Sequence, residues 1–243
     1  MPVPATTNTM ALLITDLPCE IIATVFTRLD HIKSLLPCLL TCRRFYHAYK
    51  EYPRSGIKIL GQQISPALLP YSAAVQEASR SPSLHPRLST LELLESLHNN
   101  PGSLTNRLRD YPPMAMVRLT ETHKLVEKYA DSCASAAWNY PSEDAYYKPR
   151  QRFICDDDVL SLSSTERFRF CRAFYRFELY VRLFCGDDAQ HIDLFFSGRS
   201  PWENEQLTCT YDYLAEILCE IFSRHIDCSG VIVKHCLTCS IIK

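Results

Sequence analysis

The sequence predicts a mainly α-helical protein, in which an N-terminal three-helix segment precedes an irregular helical C-terminal region. Two observations support this prediction. Apolar residues recur at three- and four-residue spacing along most of the chain, which is the spacing of one helix face. The sequence also contains no Asn-Gly or Asp-Gly turn and no sustained alternation of apolar and polar residues, the usual signs of β-hairpins.

The composition indicates a soluble globular protein and argues against several functional classes. Of the 243 residues, 47% are hydrophobic and 22% are charged, so neither whole-chain disorder nor a fibrous repeat is expected. A net charge of −1 gives no general attraction to nucleic acid or to an anionic membrane. The six glycines form no phosphate-binding loop and no nucleophile elbow. The longest uncharged run, residues 59–76, contains two prolines, and we expect no membrane span.

The start of the chain and its cysteines predict the compartment. Residues 1–10 lack the basic and apolar regions of a secretory signal, and residues 1–12 are expected to form a flexible tail. Most of the twelve cysteines lie singly in apolar helical patterns, where a free thiol acts as a small hydrophobic group. We therefore expect a cytoplasmic or nuclear protein with reduced thiols.

Residues 13–52 predict three short helices. Pro18 suits the first turn of a helix over 18–28, where its missing N–H is not needed. Glu20 lies where the helix dipole favours a negative charge. The second helical segment, 32–36, is expected to end at Pro37, and a third helix follows.

The remainder is predicted to be a linker followed by a helical domain. Residues 53–87 are rich in proline and serine and are expected to be a linker with a possible helix near 66–79. Residues 88–243 form the helical domain, in which Ser163 and Glu166 have the spacing of a capping box. A loop is predicted over 186–205. The helices predicted in this domain are 88–97, 114–138, 163–185 and 211–224.

Two sequence motifs give a family resemblance. LPCEII at 17–22 and LTCRRFY at 40–46, with the apolar residues between them, resemble the F-box in order and spacing. One departure is Pro37, within a stretch that is often helical in that family. The later segments LSSTERF at 162–168 and YRF at 175–177 resemble the C-terminal regions of F-box proteins of filamentous fungi.

The resemblance implies a non-catalytic role in ubiquitin ligation. F-box proteins dock an apolar helical face onto the Skp-type adaptor of a cullin ligase and bring a target protein to it. The spacing alone is equally consistent with this face packing against the C-terminal region. An alternative function within the same family is a structural or scaffold protein that binds the adaptor but brings no target for degradation. The adaptor contacts that the resemblance implies are Leu17, Pro18, Glu20, Ile21, Ile22, Phe26, Leu29, Leu36, Leu39, Arg43 and Phe45.

Target recruitment is expected after residue 53, because the F-box face is assigned to the adaptor. Arg172, Arg176 and Trp202 are the candidate substrate-binding residues, since arginine and tryptophan often dominate binding surfaces. The alternative is a solvated arginine face on a helix whose phenylalanines pack inward. The neutral net charge argues against nucleic acid as the partner.

The C-terminus contains a candidate zinc site. His225, Cys228, Cys236 and Cys239 have spacings that suit a tetrahedral zinc ion, and such a site would indicate a zinc-binding regulatory protein. Their apolar neighbours favour buried thiols instead, so no metal and no cofactor is predicted. No nucleophile, base and orienting group can be assembled from the spacing, and no enzymatic activity is expected.

Overall fold

The computed structural model describes residues 14–79, 89–139, 161–184 and 192–225. Within these ranges the chain forms helices and no strand, which confirms the mainly α prediction. Short 3₁₀ turns lie at Ile14–Asp16 and Leu108–Asp110. The α-helices are α1 (Cys19–Phe26), α2 (Ile32–Thr41), α3 (Arg43–Glu51), α4 (Arg54–Gln63), α5 (Leu69–Ala78), α6 (Thr90–Asn99), α7 (Pro101–Arg107), α8 (Pro113–Asn139), α9 (Ser164–Phe184), α10 (Ile192–Ser197) and α11 (Pro201–His225).

The helices divide into two compact units that do not follow the order of the chain. The first unit contains residues up to 63 together with 108–120, and the second contains 64–107 together with 121 onward. The described part of the segment expected to be a linker, 53–87, holds two helices, α4 and α5. α4 belongs to the first unit and α5 to the second.

The core of the first unit lies where α3 and α4 each contact α1 and α2. Ile22 and Phe26 of α1 and Leu35 of α2 are buried there. The Phe26 ring meets the Phe45 ring edge to face, with 5.7 Å between the centroids. Burial of each of these large apolar side chains contributes about 1.5–3 kcal/mol to the stability of the unit.

Pro37 lies inside α2 and does not end it, so the prediction of a helix end at this residue was wrong. Proline lacks the N–H that would bond to the carbonyl of Lys33, and this costs one helical hydrogen bond. The helix continues because Leu35 and Leu39, on either side of Pro37, are both buried in the core of the first unit.

A glycine allows close packing between two distant stretches of the first unit. A Cβ atom at Gly56 would lie 2.8 Å from Sδ of Met116 and 3.2 Å from the hydroxyl oxygen of Tyr49. The Tyr49 hydroxyl donates to Sδ of Met116 at 3.6 Å. Burial raises the pKa of Tyr49 to about 12, so this hydroxyl keeps its proton at neutral pH.

The second unit is organised around α9, which contacts α5 and α11. Tyr175 and Phe174 of α9 are buried, in agreement with the predicted inward aromatic face. The predicted capping box at its start is confirmed, because the Ser163 amide donates to Glu166 Oε2 at 2.9 Å and the Glu166 amide donates to Ser163 Oγ at 3.3 Å. None of the described helices is long and apolar enough to cross a membrane.

The loop predicted over 186–205 is partly helical, which corrects that prediction. α10 occupies 192–197, and α11 begins at Pro201, ten residues before the predicted start at Tyr211. The early start has a local cause, since the Glu203 amide donates to Ser200 Oγ at 3.3 Å and proline is favoured in the first helical position. Trp202 therefore lies in the first turn of a helix.

Candidate functional site

The first unit exposes large apolar side chains as well as burying them. Ile21 of α1 is 47% exposed and Leu40 of α2 is 80% exposed. Isolated apolar residues on a surface are common, whereas a group of them in one small unit is a candidate interaction surface. We name the large apolar residues exposed between the 3₁₀ turn at Ile14 and the end of α3 the exposed apolar set: Ile14, Ile21, Val25, Leu40 and Tyr46. Met114, in the later part of the unit, is also exposed.

α1 is apolar on two faces. Ile21 and Ile22 are neighbours in the chain, yet Ile21 is 47% exposed and Ile22 is 1% exposed. Val25 follows Ile21 by one turn and is also exposed, whereas Phe26 follows Ile22 and is buried. The buried face holds the unit together, and the exposed face remains available to a partner.

The predicted adaptor contacts fall into three groups by exposure. Ile22, Phe26 and Leu39 are buried in the core of the first unit, where they can act only by holding the helices in place. The half-buried residues are Leu17, Leu29, Leu36 and Phe45. The exposed residues are Pro18, Glu20, Ile21 and Arg43.

Four residues of the exposed apolar set are absent from the predicted contacts: Ile14, Val25, Leu40 and Tyr46. α2 gives the signal that would have found Leu40. Leu35 and Leu39 are buried one turn apart, so Leu36 and Leu40 must lie on a different side of the same helix. Two adjacent apolar pairs in one short helix therefore indicate that one pair faces outward.

Two polar residues of the motifs at 17–22 and 40–46, Glu20 and Arg44, form hydrogen bonds inside the first unit. The Tyr52 hydroxyl donates to Glu20 Oε1 at 2.9 Å, and Arg44 Nη2 donates to the Leu17 carbonyl at 3.3 Å. The pKa of Glu20 is lowered by a hydrogen bond from its own backbone amide, by the bond from Tyr52 and by the charge of Arg44. These contacts tie the start of α1 to the region of α3.

Comparison with known families gives a match for the part of the chain that carries the exposed apolar set. An F-box-like family model matches residues 14–51. The match begins at the first residue of the 3₁₀ turn and ends at the last residue of α3, and we call this stretch the F-box-like domain. F-box domains are in general non-catalytic modules that bind Skp-type adaptors.

The comparisons give no relative for the rest of the chain. No curated protein and no solved structure matches the chain, residues 14–51 included. The resemblance of the C-terminal region to fungal F-box proteins therefore stays a prediction. All five residues of the exposed apolar set lie within the F-box-like domain.

In the second unit, the three candidate substrate-binding residues differ in burial and in bonding. Arg176 is 2% exposed, and its Nη1 and Nη2 donate to the Glu203 carbonyl at 2.7 Å and to Asn204 Oδ1 at 2.9 Å. Arg172 pairs with Glu203 Oε1 at 2.5 Å. Both arginines thus join α9 to α11, whereas Trp202 is 66% exposed.

The candidate zinc ligands fall almost entirely outside the described residues. Cys228, Cys236 and Cys239 lie there, and His225 ends α11 without a described side chain. Within the described part of the chain, no three histidine, cysteine or acidic residues come close enough to hold a metal ion. Burial raises the pKa of Cys133 and of Cys171 to about 11, so these thiols stay protonated at neutral pH and are poor nucleophiles.

Proposed function

We propose that this protein is the substrate-receptor subunit of a Skp–cullin–F-box ubiquitin ligase. In this proposal, the F-box-like domain binds the Skp-type adaptor, and through it the cullin, while the second unit holds the target protein. The observation that supports the proposal most is the second apolar face of α1, where Ile21 and Val25 are exposed inside the family match.

The exposed apolar set supplies the driving force for docking. Partially exposed side chains such as Ile21 and Leu40 lose contact with water when they enter an apolar groove, and each fully buried large side chain is worth about 1.5–3 kcal/mol. The interior residues Ile22 and Phe26 contribute indirectly, because they fix α1 in the orientation that presents Ile21 outward.

The proposed mechanism is proximity, and the bond-forming chemistry belongs to other subunits. A target held by the second unit is brought close to a ubiquitin-charged conjugating enzyme. The transfer of ubiquitin then proceeds at high effective concentration, as an intramolecular reaction does. This role requires two binding surfaces on the chain and no catalytic residue.

Adaptor binding can be tested by changing the exposed apolar set without changing the core. We expect the double variant Ile21→Glu, Leu40→Glu to lose the Skp-type adaptor in affinity purification of the full chain, because a charge in an apolar interface is costly to desolvate. The melting temperature should change little, since both positions are exposed.

The matched control is Leu125→Glu, which places the same charge at a 57% exposed leucine of α8 in the second unit. This control should retain the adaptor. Retention of the adaptor by the double variant would contradict the proposal, as would an equal loss in the control. Capture of the adaptor with no partner whose turnover depends on ubiquitin would favour the scaffold alternative.

A further inference from the structure

A small cavity lies in the second unit beside α6, α9 and the turn between α10 and α11. Its volume is about 50 Å³. Leu94, Leu97, Leu194 and Phe195 form apolar walls, and the guanidinium-bearing side chains of Arg176 and Arg199 line it as well. An apolar recess with two arginines is a form of site that suits an anionic group on an apolar carrier.

The two arginines bring two positive charges to the cavity, and the one carboxylate among the described residues that acts on both of them, Glu203, is shared with Arg172. Glu203, the carboxylate that favours the charged form of Arg176, is already paired with Arg172 at 2.5 Å. Arg199 contacts Tyr71, with 5.8 Å to the ring centroid and 3.4 Å to the hydroxyl oxygen, and has no ion pair in the described part of the chain. The exposed Glu95 lies on the wall but pairs with neither arginine within those residues.

Arg176 is held in place before any ligand arrives. Its bonds to the Glu203 carbonyl and to Asn204 Oδ1 use two of the five guanidinium donors, and its guanidinium carbon lies 5.3 Å from the centroid of the Phe195 ring. Burial and the charge of Arg199 lower the pKa of Arg176 to about 10, so it is still positively charged at neutral pH. A fixed, buried cation is thus ready for an anion without a further loss of side-chain entropy.

His98 is a third polar residue on the cavity wall, and Gly198 leaves room for its ring. A Cβ atom at this position would lie 3.2 Å from Cε1 and from Nδ1 of His98, which also lines the cavity. The absence of a side chain at Gly198 therefore lets the imidazole ring lie against the backbone. A larger residue would push the ring out of this position.

We infer that this cavity binds an oxyanion, a carboxylate or a phosphate group carried on an apolar stem. Guanidinium groups match the geometry of both oxyanions. A water molecule needs roughly 10–15 Å³ on the same measure of volume, so the cavity has room for the oxyanion group itself, and the stem has to extend out of it. This inference goes beyond adaptor binding and does not depend on it, because all the residues involved lie in the second unit.

Calorimetric titration of the full chain with inorganic phosphate, and separately with N-acetyl-leucine as a carboxylate on an apolar stem, tests the inference. The ionic strength is held constant with sodium chloride. We expect saturable binding of at least one of the two probes. Arg199→Gln should weaken it by at least about tenfold, the effect of removing one charged hydrogen bond. Binding of phosphate alone or of N-acetyl-leucine alone would identify the anion within the same site.

Two further variants make the test specific. Arg169→Gln removes the same charge from an exposed position of α9 outside the cavity wall and should leave binding unchanged. Gly198→Ala keeps both arginines but displaces His98, and it should weaken binding. The inference is overturned if neither probe binds saturably, or if Arg169→Gln loses as much affinity as Arg199→Gln. Adaptor capture by Arg199→Gln should be normal, which separates this site from the F-box-like domain.

Discussion

At the scale of single residues, the neighbours Ile21 and Ile22 of α1 lie in opposite environments. Ile22 is enclosed by the core of the first unit, and Ile21 faces solvent. A truncation at Ile22 removes buried methyl groups and leaves a cavity, whereas the same truncation at Ile21 removes groups that are already half in water. Substitutions at these two adjacent residues can therefore separate the stability of the first unit from its binding of a partner.

We predict that Ile22→Ala lowers the free energy of unfolding of the first unit by about 2–5 kcal/mol. Ile21→Ala should cost less than about 1 kcal/mol, because its side chain is 47% exposed. Urea titrations followed by circular dichroism measure both changes. Equal destabilisation by the two variants would show that Ile21 packs in the core.

A buried histidine makes the stability of the second unit depend on pH. His123 Nδ1 lies 3.0 Å from the Tyr175 hydroxyl oxygen, and the two rings stack with 6.0 Å between centroids. Burial lowers the pKa of His123, and the nearby Glu127 opposes this effect in part. The neutral imidazole is thus the form that fits the folded unit.

A histidine with a lowered pKa contributes its full stability above the unfolded pKa of about 6.5, and this contribution is lost as the pH falls toward the folded value. We predict a melting temperature that falls between pH 7 and pH 5, with a shallower slope in His123→Gln. Calorimetric melting at a series of pH values measures both slopes. If the slopes were the same, His123 would not be the group responsible.

At the scale of helices, local signals explain most of the fold that could be predicted. The capping pattern at Ser163 and Glu166 identified the start of α9 correctly. The same pattern at Ser200 and Glu203 begins α11, but the polar run over 197–201 was predicted to lie in a loop. Pro37 shows the opposite case, in which packing of the core outweighed a local helix-breaking signal.

The cap of α9 offers a direct test of its energetic role. Ser163→Ala removes the oxygen that accepts from the Glu166 amide and should destabilise the second unit by about 0.5–2 kcal/mol. Ser164→Ala, one residue further along, changes an exposed serine in the first helical position and should have little effect. Thermal unfolding of both variants measures the difference, and a larger loss in Ser164→Ala would refute the role of the cap.

At the scale of the whole molecule, the F-box-like domain was predictable, whereas the unit that contains it was not. Its motifs lie within 38 consecutive positions and follow a local pattern. The addition of α4 and of residues 108–120 depends on contacts such as Tyr49 to Met116, which no short-range pattern encodes. Val25 was missed for the same reason, since the side of α1 that faces solvent depends on where α3 and α4 pack.

We predict that a residue far outside the family match supports adaptor binding. Met116→Ala removes a fully buried side chain of the first unit and should lower the free energy of unfolding of this unit by about 2–5 kcal/mol. The amount of adaptor captured near the melting temperature of this variant should fall in parallel. Met114→Ala, at an exposed position of the same helix, is the matched control. Equal capture by both variants would mean that residues 108–120 do not support the domain.

The interrupted course of the first unit has a consequence for protein synthesis. The ribosome releases α1 to α4 well before residues 108–120, because residues 64–107 are made in between. Synthesis proceeds at roughly 5–20 residues per second. The surfaces of α1 to α4 that Met116 and Leu108 later cover therefore stay exposed for several seconds on the nascent chain. During this interval the exposed apolar set and the unfinished core are both open to solvent.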